Sequence, residues 1–292
     1  MVKVLFLGQG SGKDPGFDGV TIDGKQYREY MREKGIIVLE KVVESCHGCP
    51  DIMADYSREM QNRIEISGDR VVAVLQGGLL FGLPSIQATQ VTYPIISTPL
   101  DIVAYTAFMV PSGHAVIAGT GVDRKVNEKY ETKQREKALR IAENMLSLED
   151  SCVYITEDDS NGKLAKELAV FGIEVKQGTN PGSLHLNYSE GIEEKVPSGF
   201  VVWADSVENL QEGEYFDDIN GVHRNNRKYD NVIQVKGVKN LAVYAAKILS
   251  LQKPELREKI KKIRADKRET YKERNLSREI LDIWNEMVKR RE

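Results

Sequence analysis

Cysteine, histidine and long apolar runs are all scarce in this chain of 292 residues. Its three cysteines are too few, and odd in number, for a disulfide framework, so we expect a reducing compartment, the cytoplasm. No run approaches the roughly 18 consecutive apolar residues of a transmembrane helix, and a strand pattern begins at Val2. We therefore expect neither a membrane span nor a signal peptide. The net charge of -3 argues against a general nucleic-acid binder, because such proteins carry excess cations to neutralise phosphates.

Short apolar runs alternate with amphipathic stretches along the chain, which predicts an α/β fold with a doubly wound parallel sheet. Several runs are nearly continuous in Val, Ile and Leu, as in Val71–Leu75, which is typical of parallel strands covered on both faces. The predicted strands are 2–7, 36–43, 71–75, 94–98, 115–119, 153–156, 172–176, 200–204 and 231–235. The predicted helices are 51–66, 82–91, 101–109, 125–148, 160–171 and 237–251.

The pattern starts again after Asp150, where a second β-loop-α-β unit begins. The segment Ala142–Leu148 also has a similar counterpart in Ala245–Leu251, each at the end of a long helix. We therefore predict an internal duplication, with a catalytic-type domain at 1–150, a degenerate second repeat at 151–252 and a helical extension at 253–292. Two unrelated α/β halves, or one large sheet, are the alternatives.

The extension at 253–292 is basic, with 14 Lys and Arg against 9 Asp and Glu. A basic tail is compatible with RNA binding. Its apolar residues nevertheless keep helical spacing, which favours two amphipathic helices packed on a neighbouring domain or subunit. These residues are Leu256, Ile260 and Ile263, followed by Leu276, Ile280, Ile283, Trp284 and Met287.

His47 is the strongest candidate for a catalytic residue. It follows an apolar strand and precedes a helix, and the carboxyl end of a strand is where open α/β sheets bind ligands. Imidazole titrates near neutral pH and can therefore move a proton in either direction. The flanking Cys46 and Cys49 leave a redox role or a metal bound with His47 open. Structural zinc needs four ligands, and the remaining cysteine is distant Cys152, so we predict no metal.

The loop after the first strand, Gly8–Pro15, is rich in glycine and predicts a phosphate site. Its glycines let backbone N–H groups converge on an anion, and its side chains add a hydroxyl, a cation and a ribose-binding carboxylate. It lacks the Walker spacing, and an ordinary flexible turn is the alternative. A second loop offers backbone donors from two glycines and a phenylalanine that either stacks on a base or belongs to the core. The candidate substrate-binding residues in these loops are Gly10, Ser11, Lys13, Asp14, Gly77, Gly78 and Phe81.

Five segments in this order resemble the aminoimidazole ribonucleotide carboxylases and carboxyaminoimidazole ribonucleotide mutases of purine synthesis. Ser45–Asp51 resembles that family's Ser-Ala-His-Arg-Thr-Pro-Asp, and Gly77–Pro84 resembles its Gly-Gly-Ala-Ala-His-Leu-Pro loop. Tyr93–Pro99 resembles its Leu-Pro-Val-Ile-Gly-Val-Pro strand, and Met109–Val116 its Met-Pro-Ser-Gly-Val-Pro-Val turn. The last segment, Gly237–Leu256, resembles its alanine-rich helix followed by Pro-Glu-Leu.

The resemblance implies flavodoxin-like halves and carboxylate transfer on an imidazole ribonucleotide, with carbon dioxide or bicarbonate as the other reactant and no cofactor. His47 would be the general acid and base, and Ser45 would stand beside the substrate. The family forms octamers of single domains, so a fused pair implies a homotetramer. Whether the chain would act as carboxylase or mutase is left open.

Two departures from the family pattern keep other functions open. Gly48 replaces a phosphate-binding arginine, for which Lys13, Arg58 or Arg124 would have to compensate. Phe81 and Gly82 replace a histidine, and a pocket closed by Phe81 and Tyr93 would favour a protein without catalysis. The alternatives are an enzyme acting on another nucleotide and a non-catalytic nucleotide-binding or scaffold protein. No role is assigned to His185 and His223, which we expect in polar loops, and His114 is expected to be structural.

Overall fold

The computed structural model describes residues 1–10, 16–42, 49–77, 82–99, 115–116, 128–158, 160–189, 199–205 and 229–275, together with 287 and 289. The chain is an α/β protein of parallel strands interleaved with helices, as the sequence predicts. The strands of the first part are β1 Lys3–Gln9, β2 Thr21–Ile22, β3 Lys25–Gln26, β4 Ile36–Val42, β5 Arg70–Gly77, β6 Ile95–Pro99 and β7 Ala115–Val116. Its helices are α1 Tyr27–Glu33, α2 Pro50–Ser67, α3 Gly82–Gln90 and α4 Glu128–Ser147.

The second part continues the alternation of strands and helices. Its strands are β8 Cys152–Asp158, β9 Glu174–Gln177, β10 Leu184–Ser189, β11 Phe200–Asp205 and β12 Val232–Val235. Its helices are α5 Lys163–Phe171, α6 Gly237–Leu249 and α7 Glu255–Asn275. None of the helices within the described ranges is long and apolar enough to cross a membrane.

The strands form one ten-stranded sheet in the order β4-β1-β5-β6-β7-β12-β11-β10-β8-β9. Each half is parallel within itself, and the halves meet where Gln234 of β12 pairs antiparallel with Val116 of β7. Within each half the second long strand lies outside the first, so both halves have the flavodoxin order 2-1-3-4-5. A duplicated ancestor would produce this repetition. The boundaries at 150 and 252 stay a prediction.

The two faces of the sheet are covered differently. On one face α1, α4, α5 and α6 share a single apolar core that extends over both halves. On the other face α2 and α3 cover the first half with a separate core around Phe6, Leu75 and Leu83. Within the described ranges, no helix packs on this face of the second half, where Val201, Trp203 and Val232 form a small cluster. The described second half therefore has one helical layer where the first has two.

Strand β10 and His185 differ from the sequence-based expectation. The sequence indicates a polar loop around His185, but His185 lies in β10 and is fully buried. The reason is strict alternation: Leu184, Leu186 and Tyr188 face the shared core, while the polar residues between them face the other side of the sheet. Short α1 and the β2–β3 hairpin were also missed. The predicted helix 101–109, His114 and His223 lie outside the described residues.

Helix α7 connects the two halves through its basic side chains. Lys259 Nζ donates a 2.7 Å hydrogen bond to the Phe171 carbonyl oxygen at the end of α5. The buried Arg257 guanidinium donates to the carbonyl oxygens of Ile64, near the end of α2, and Asp69, just beyond it, at 3.4 and 3.2 Å. The carboxyl end of a helix has unpaired carbonyls and a partial negative charge, which cations stabilise. The first part of α7, up to Arg264, therefore packs on its own chain, while residues 265–272 are exposed.

Arg264 provides the same interaction for α3, together with Lys247 of α6. Arg264 Nη2 donates to the carbonyl oxygens of Ala88 and Val91 at 2.8 and 2.7 Å, and Lys247 Nζ reaches the Ala88 oxygen at 3.3 Å. Burial lowers the pKa of the Arg264 guanidinium to about 10 and holds the pKa of the Lys247 ammonium well below its ordinary value. The end of α3 therefore holds two cations in a partly dehydrated place.

Replacing Arg264 with Met should destabilise the protein because the carbonyls at the end of α3 lose a charged donor. Hydrogen bonds to charged groups typically contribute about 1.5–3 kcal/mol, so we expect the free energy of unfolding to fall by about 2 kcal/mol. Urea unfolding followed by circular dichroism measures the change. Arg268→Met, one turn further along α7 at an exposed position, is the matched control. Equal effects of the two substitutions would contradict the capping role of Arg264.

Candidate functional site

The candidate residues come from segments that follow β1, β4 and β5 in the chain, and these three strands are neighbours in the sheet. Of the residues predicted to bind substrate, Gly10 and Gly77 are described and lie at the ends of β1 and β5. The others lie outside the described residues: Ser11, Lys13, Asp14, Ser45, Gly78 and Phe81, as does the predicted catalytic residue His47. Cys49 is exposed directly before α2, and Cys46 is not described.

Gln76 of β5 holds both ends of the loop that follows β1. Its backbone carbonyl oxygen accepts a 3.0 Å hydrogen bond from the Gly10 amide, and its side-chain Oε1 accepts a 2.9 Å bond from the Gly16 amide. The chain therefore leaves β1 and returns at the same residue, with 11–15 between the two anchors. This point lies between the first and third strands of a 2-1-3-4-5 half, where such sheets bind phosphorylated ligands.

The glycines at the loop ends are needed for close packing. Gly16 has φ +63°, and a Cβ atom there would lie 2.1 Å from Nε2 of Gln9. A Cβ atom at Gly8 would lie 2.6 Å from Cδ2 of Leu75. The Gly10 N–H is engaged by Gln76, so this residue anchors the loop, and any N–H donors from the loop itself must come from 11–14, because Pro15 has no N–H.

Arg135 of α4 brings a cation to the returning end of the loop. Its Nη1 donates to the Gly16 carbonyl oxygen and its Nη2 donates to Thr132 Oγ1 at 3.1 Å. The residue is only 7% exposed. Sequence reasoning missed both Arg135 and Gln76. Gln134, Arg135 and Lys137 are at helical spacing with the apolar residues of α4, which hints at their burial but does not show what Arg135 contacts.

Arg58 and Tyr93 are described, and neither lies at the candidate site. Arg58 forms an ion pair with Asp55 on α2 and lines a cavity next to α7, so it does not face the β1 loop. Lys13 and Arg124 lie outside the described residues. Tyr93 is buried before the amino end of β6, where its hydroxyl accepts a 2.9 Å hydrogen bond from Gln87. It therefore lies at the opposite end of β6 from the candidate site and does not close it.

The matching loop of the second half is built as a helix start. Asp158 ends β8, and its carboxylate accepts hydrogen bonds from the Ser160 backbone and hydroxyl. The Ser160 hydroxyl oxygen in turn accepts a 2.8 Å bond from the Leu164 amide in the first turn of α5. These groups satisfy the helix end rather than a ligand, as an N-terminal cap does. The Ser160 hydroxyl is therefore engaged by the first turn of α5.

Lys137, two residues after Arg135, is a buried lysine at the same end of α4. Its ammonium lies near Asp230 and Lys133, and burial lowers its pKa to about 7. A lysine with this pKa exchanges protons at neutral pH, so it belongs to the small set of groups whose charge changes under ordinary conditions. Among the described residues no group of three or more His, Cys, Asp and Glu is arranged to hold a metal ion.

Searches against protein-family models, curated proteins and solved structures find no match to this chain.

Replacing Gln76 with Leu should release the β1 loop, because the Gly16 amide loses its acceptor. We expect a loss of about 1 kcal/mol in the free energy of unfolding and faster hydrogen exchange at Gly16. Exchange measured by NMR or mass spectrometry reports this. Thr98→Val on neighbouring β6 is the control, since it removes a 3.3 Å hydrogen bond to Leu75 without touching the loop. Unchanged exchange at Gly16 in Gln76→Leu would contradict the anchoring role.

Replacing Lys137 with Met should make stability less dependent on pH. The pKa of Lys137 is about 7 in the folded protein and ordinarily 10.5. Between pH 7 and pH 10.5, Lys137 is therefore protonated in the unfolded chain and neutral in the folded protein. The cost of burying Lys137 is therefore fully present below pH 7 and is relieved as pH rises toward 10. The difference in free energy of unfolding between Lys137→Met and wild type should therefore change with pH. It should favour the variant by at least about 2 kcal/mol more at pH 7 than at pH 10, since one pKa unit corresponds to about 1.4 kcal/mol.

Urea unfolding at several pH values gives this difference, and Lys133→Met is the control because Lys133 is 64% exposed. A constant difference between wild type and Lys137→Met across this pH range would show that the ammonium is not dehydrated.

Proposed function

We propose that the protein transfers a carboxylate on an imidazole ribonucleotide, as a carboxylase or as a mutase. The loop after β1 would bind the phosphate, the loop after β5 would bind the base, and His47 would act as general acid and base. The reactants would be the ribonucleotide and carbon dioxide or bicarbonate, with no metal or organic cofactor. The proposal joins the sequence resemblance to the geometry of the first half.

The observation that carries the proposal is the anchoring of the β1 loop by Gln76. A phosphate loop must hold its backbone in one conformation before ligand arrives, since ordering it on binding costs affinity. Gln76 fixes both ends through hydrogen bonds of 3.0 and 2.9 Å. An ordinary flexible turn would not need a buried side chain from the adjacent strand to hold it.

Arg135 supports the phosphate end of the proposal electrostatically. A guanidinium keeps its charge at any relevant pH, and the Gly16 carbonyl holds this one at the end of the loop. In the resembling family an arginine stands where this chain has Gly48. We propose that Arg135 supplies positive charge to the phosphate from α4 instead, either directly or through the loop.

His47 supports the chemical end of the proposal through its place in the chain. It lies between β4, which ends at Val42, and α2, which begins at Pro50, and β4 is the neighbour of β1. Forming the new carbon–carbon bond displaces the proton of the imidazole carbon. A base must accept that proton, and the same group returns it in the reverse direction, which suits a pKa near neutrality.

Association of copies is part of the proposal, with four chains expected. The edge strand β4 exposes Ile37, Leu39 and Val42, whose relative exposures are 50, 49 and 39%. An edge strand with exposed apolar side chains can pair with another chain, and soluble proteins usually protect such edges. A second copy covering β4 would bury this patch close to the candidate site. A cytoplasmic location remains a prediction.

The test is turnover of aminoimidazole ribonucleotide with bicarbonate, and separately of its carboxyamino isomer, followed by absorbance. His47→Asn should lower the rate by about 10²–10⁴, the usual contribution of general acid–base catalysis. Cys49→Ser should leave turnover unchanged, because this exposed thiol has no part in the proposed reaction.

The outcomes separate the alternatives. Loss of activity in Cys49→Ser would favour thiol chemistry. If neither compound is turned over but another ribonucleotide stabilises the protein against heat, the substrate is a different nucleotide. No turnover and no stabilisation by any ribonucleotide would leave a scaffold that retains the fold alone.

A further inference from the structure

A cavity of about 440 Å³ lies among α2, α3, α5, α6 and α7. Its α3 residues, Thr89 and Gln90, are at the end of that helix, before the amino end of β6, whereas the candidate site is at the carboxyl ends of strands. Its lining therefore comes from both halves of the chain and from the helix that connects them. A cavity of this volume is in the range that binds drug-sized organic molecules.

Four basic residues line the cavity: Arg58 of α2, and Arg264, Lys267 and Arg268 of α7. The described lining contains no Asp or Glu. Arg264 is held in place by the carbonyls at the end of α3, which accept hydrogen bonds but carry no full charge to cancel the guanidinium. Lys247 is buried behind it, and burial first, then the nearby Arg264 charge, hold the pKa of its ammonium well below the ordinary value.

The rest of the lining is largely apolar. Its apolar residues are Phe171, Val243, Ile260 and Ile263, and Asn240, Gln90 and Thr89 add polar groups. An inorganic anion would contact the cations and leave the apolar residues in contact with water. A ligand that combines a polyanionic group with a flat apolar body would contact both kinds of residue.

We propose that this cavity binds a nucleoside polyphosphate. Guanidinium groups form paired hydrogen bonds with phosphate oxygens, and a diphosphate offers enough oxygens for several cations at once. The base and ribose would pack against the apolar residues of the lining. The proposal does not rest on the carboxylate-transfer reaction, because it involves different residues in a different part of the molecule.

The probe is ADP, titrated calorimetrically into the full-length protein at about 50 mM salt. Lys267→Glu should weaken binding by about tenfold or more, and Arg268→Glu by a similar factor. Lys262→Glu is the matched control for Lys267→Glu. Lys262 is exposed on the same helix and does not line the cavity, so binding should be unchanged. Raising the salt should weaken ADP binding because the exposed charges are screened.

Two further ligands and one further variant separate this site from others. Adenosine and pyrophosphate should each bind at least tenfold more weakly than ADP. Adenosine has no phosphate to contact the cations, and pyrophosphate has no base or ribose to contact the apolar residues. Ser11→Ala, in the β1 loop, should leave ADP binding unchanged, which distinguishes the cavity from the proposed phosphate loop. Absence of ADP binding, or full binding in Lys267→Glu and Arg268→Glu, would overturn the proposal. Pyrophosphate binding as tightly as ADP would overturn the assignment to a nucleotide.

Discussion

The position of α7 against both halves depends on cations that donate hydrogen bonds to backbone carbonyls. Arg257, Lys259 and Arg264 of α7 each bind the carbonyls at or just beyond the end of a different helix, and two of those helices belong to one half and one to the other. Dehydrating a cation is costly, and the partial charges at helix ends offset only part of that cost. Each contact therefore requires α7 to occupy one position relative to both halves, so the connection is specific as well as stabilising.

The same sheet order in both halves has produced two different structures. In the first half both faces carry helices, and the carboxyl ends of β1 and β5 are adjacent in the sheet. In the described second half one helical layer remains, β10 carries polar residues on its other face, and Ser160 is used to begin α5. When the hydroxyl and N–H groups of a first loop form hydrogen bonds at the start of a helix, they cannot also bind a ligand. This is a physical reason to place the chemistry in the first half.

The sequence predicts the parts of this fold that depend on local pattern. The continuous apolar run Val71–Leu75 could be placed as a buried strand because few other structures accommodate such a run. His185 could not be placed, because polar residues alternating with apolar ones over six positions resemble a loop by composition and a strand only by period. Gln76 and Arg135 escaped detection for another reason. Their roles arise from contacts with Gly16 across distant parts of the chain, and no local pattern encodes such contacts.

In both proposed anion sites, backbone carbonyls hold an arginine guanidinium in a fixed position. At the β1 loop the Gly16 carbonyl holds Arg135, and at the cavity the carbonyls of Ala88 and Val91 hold Arg264. At the cavity, the described lining contains no carboxylate to cancel the charge of Arg264, and a carbonyl fixes a guanidinium without cancelling its charge. The cost is incomplete compensation for lost water, which is visible in the lowered pKa of Arg264. Partial dehydration of Arg264 costs stability, but it leaves the guanidinium preorganised for an anion. A bound phosphate would replace part of the hydration that the guanidinium has lost.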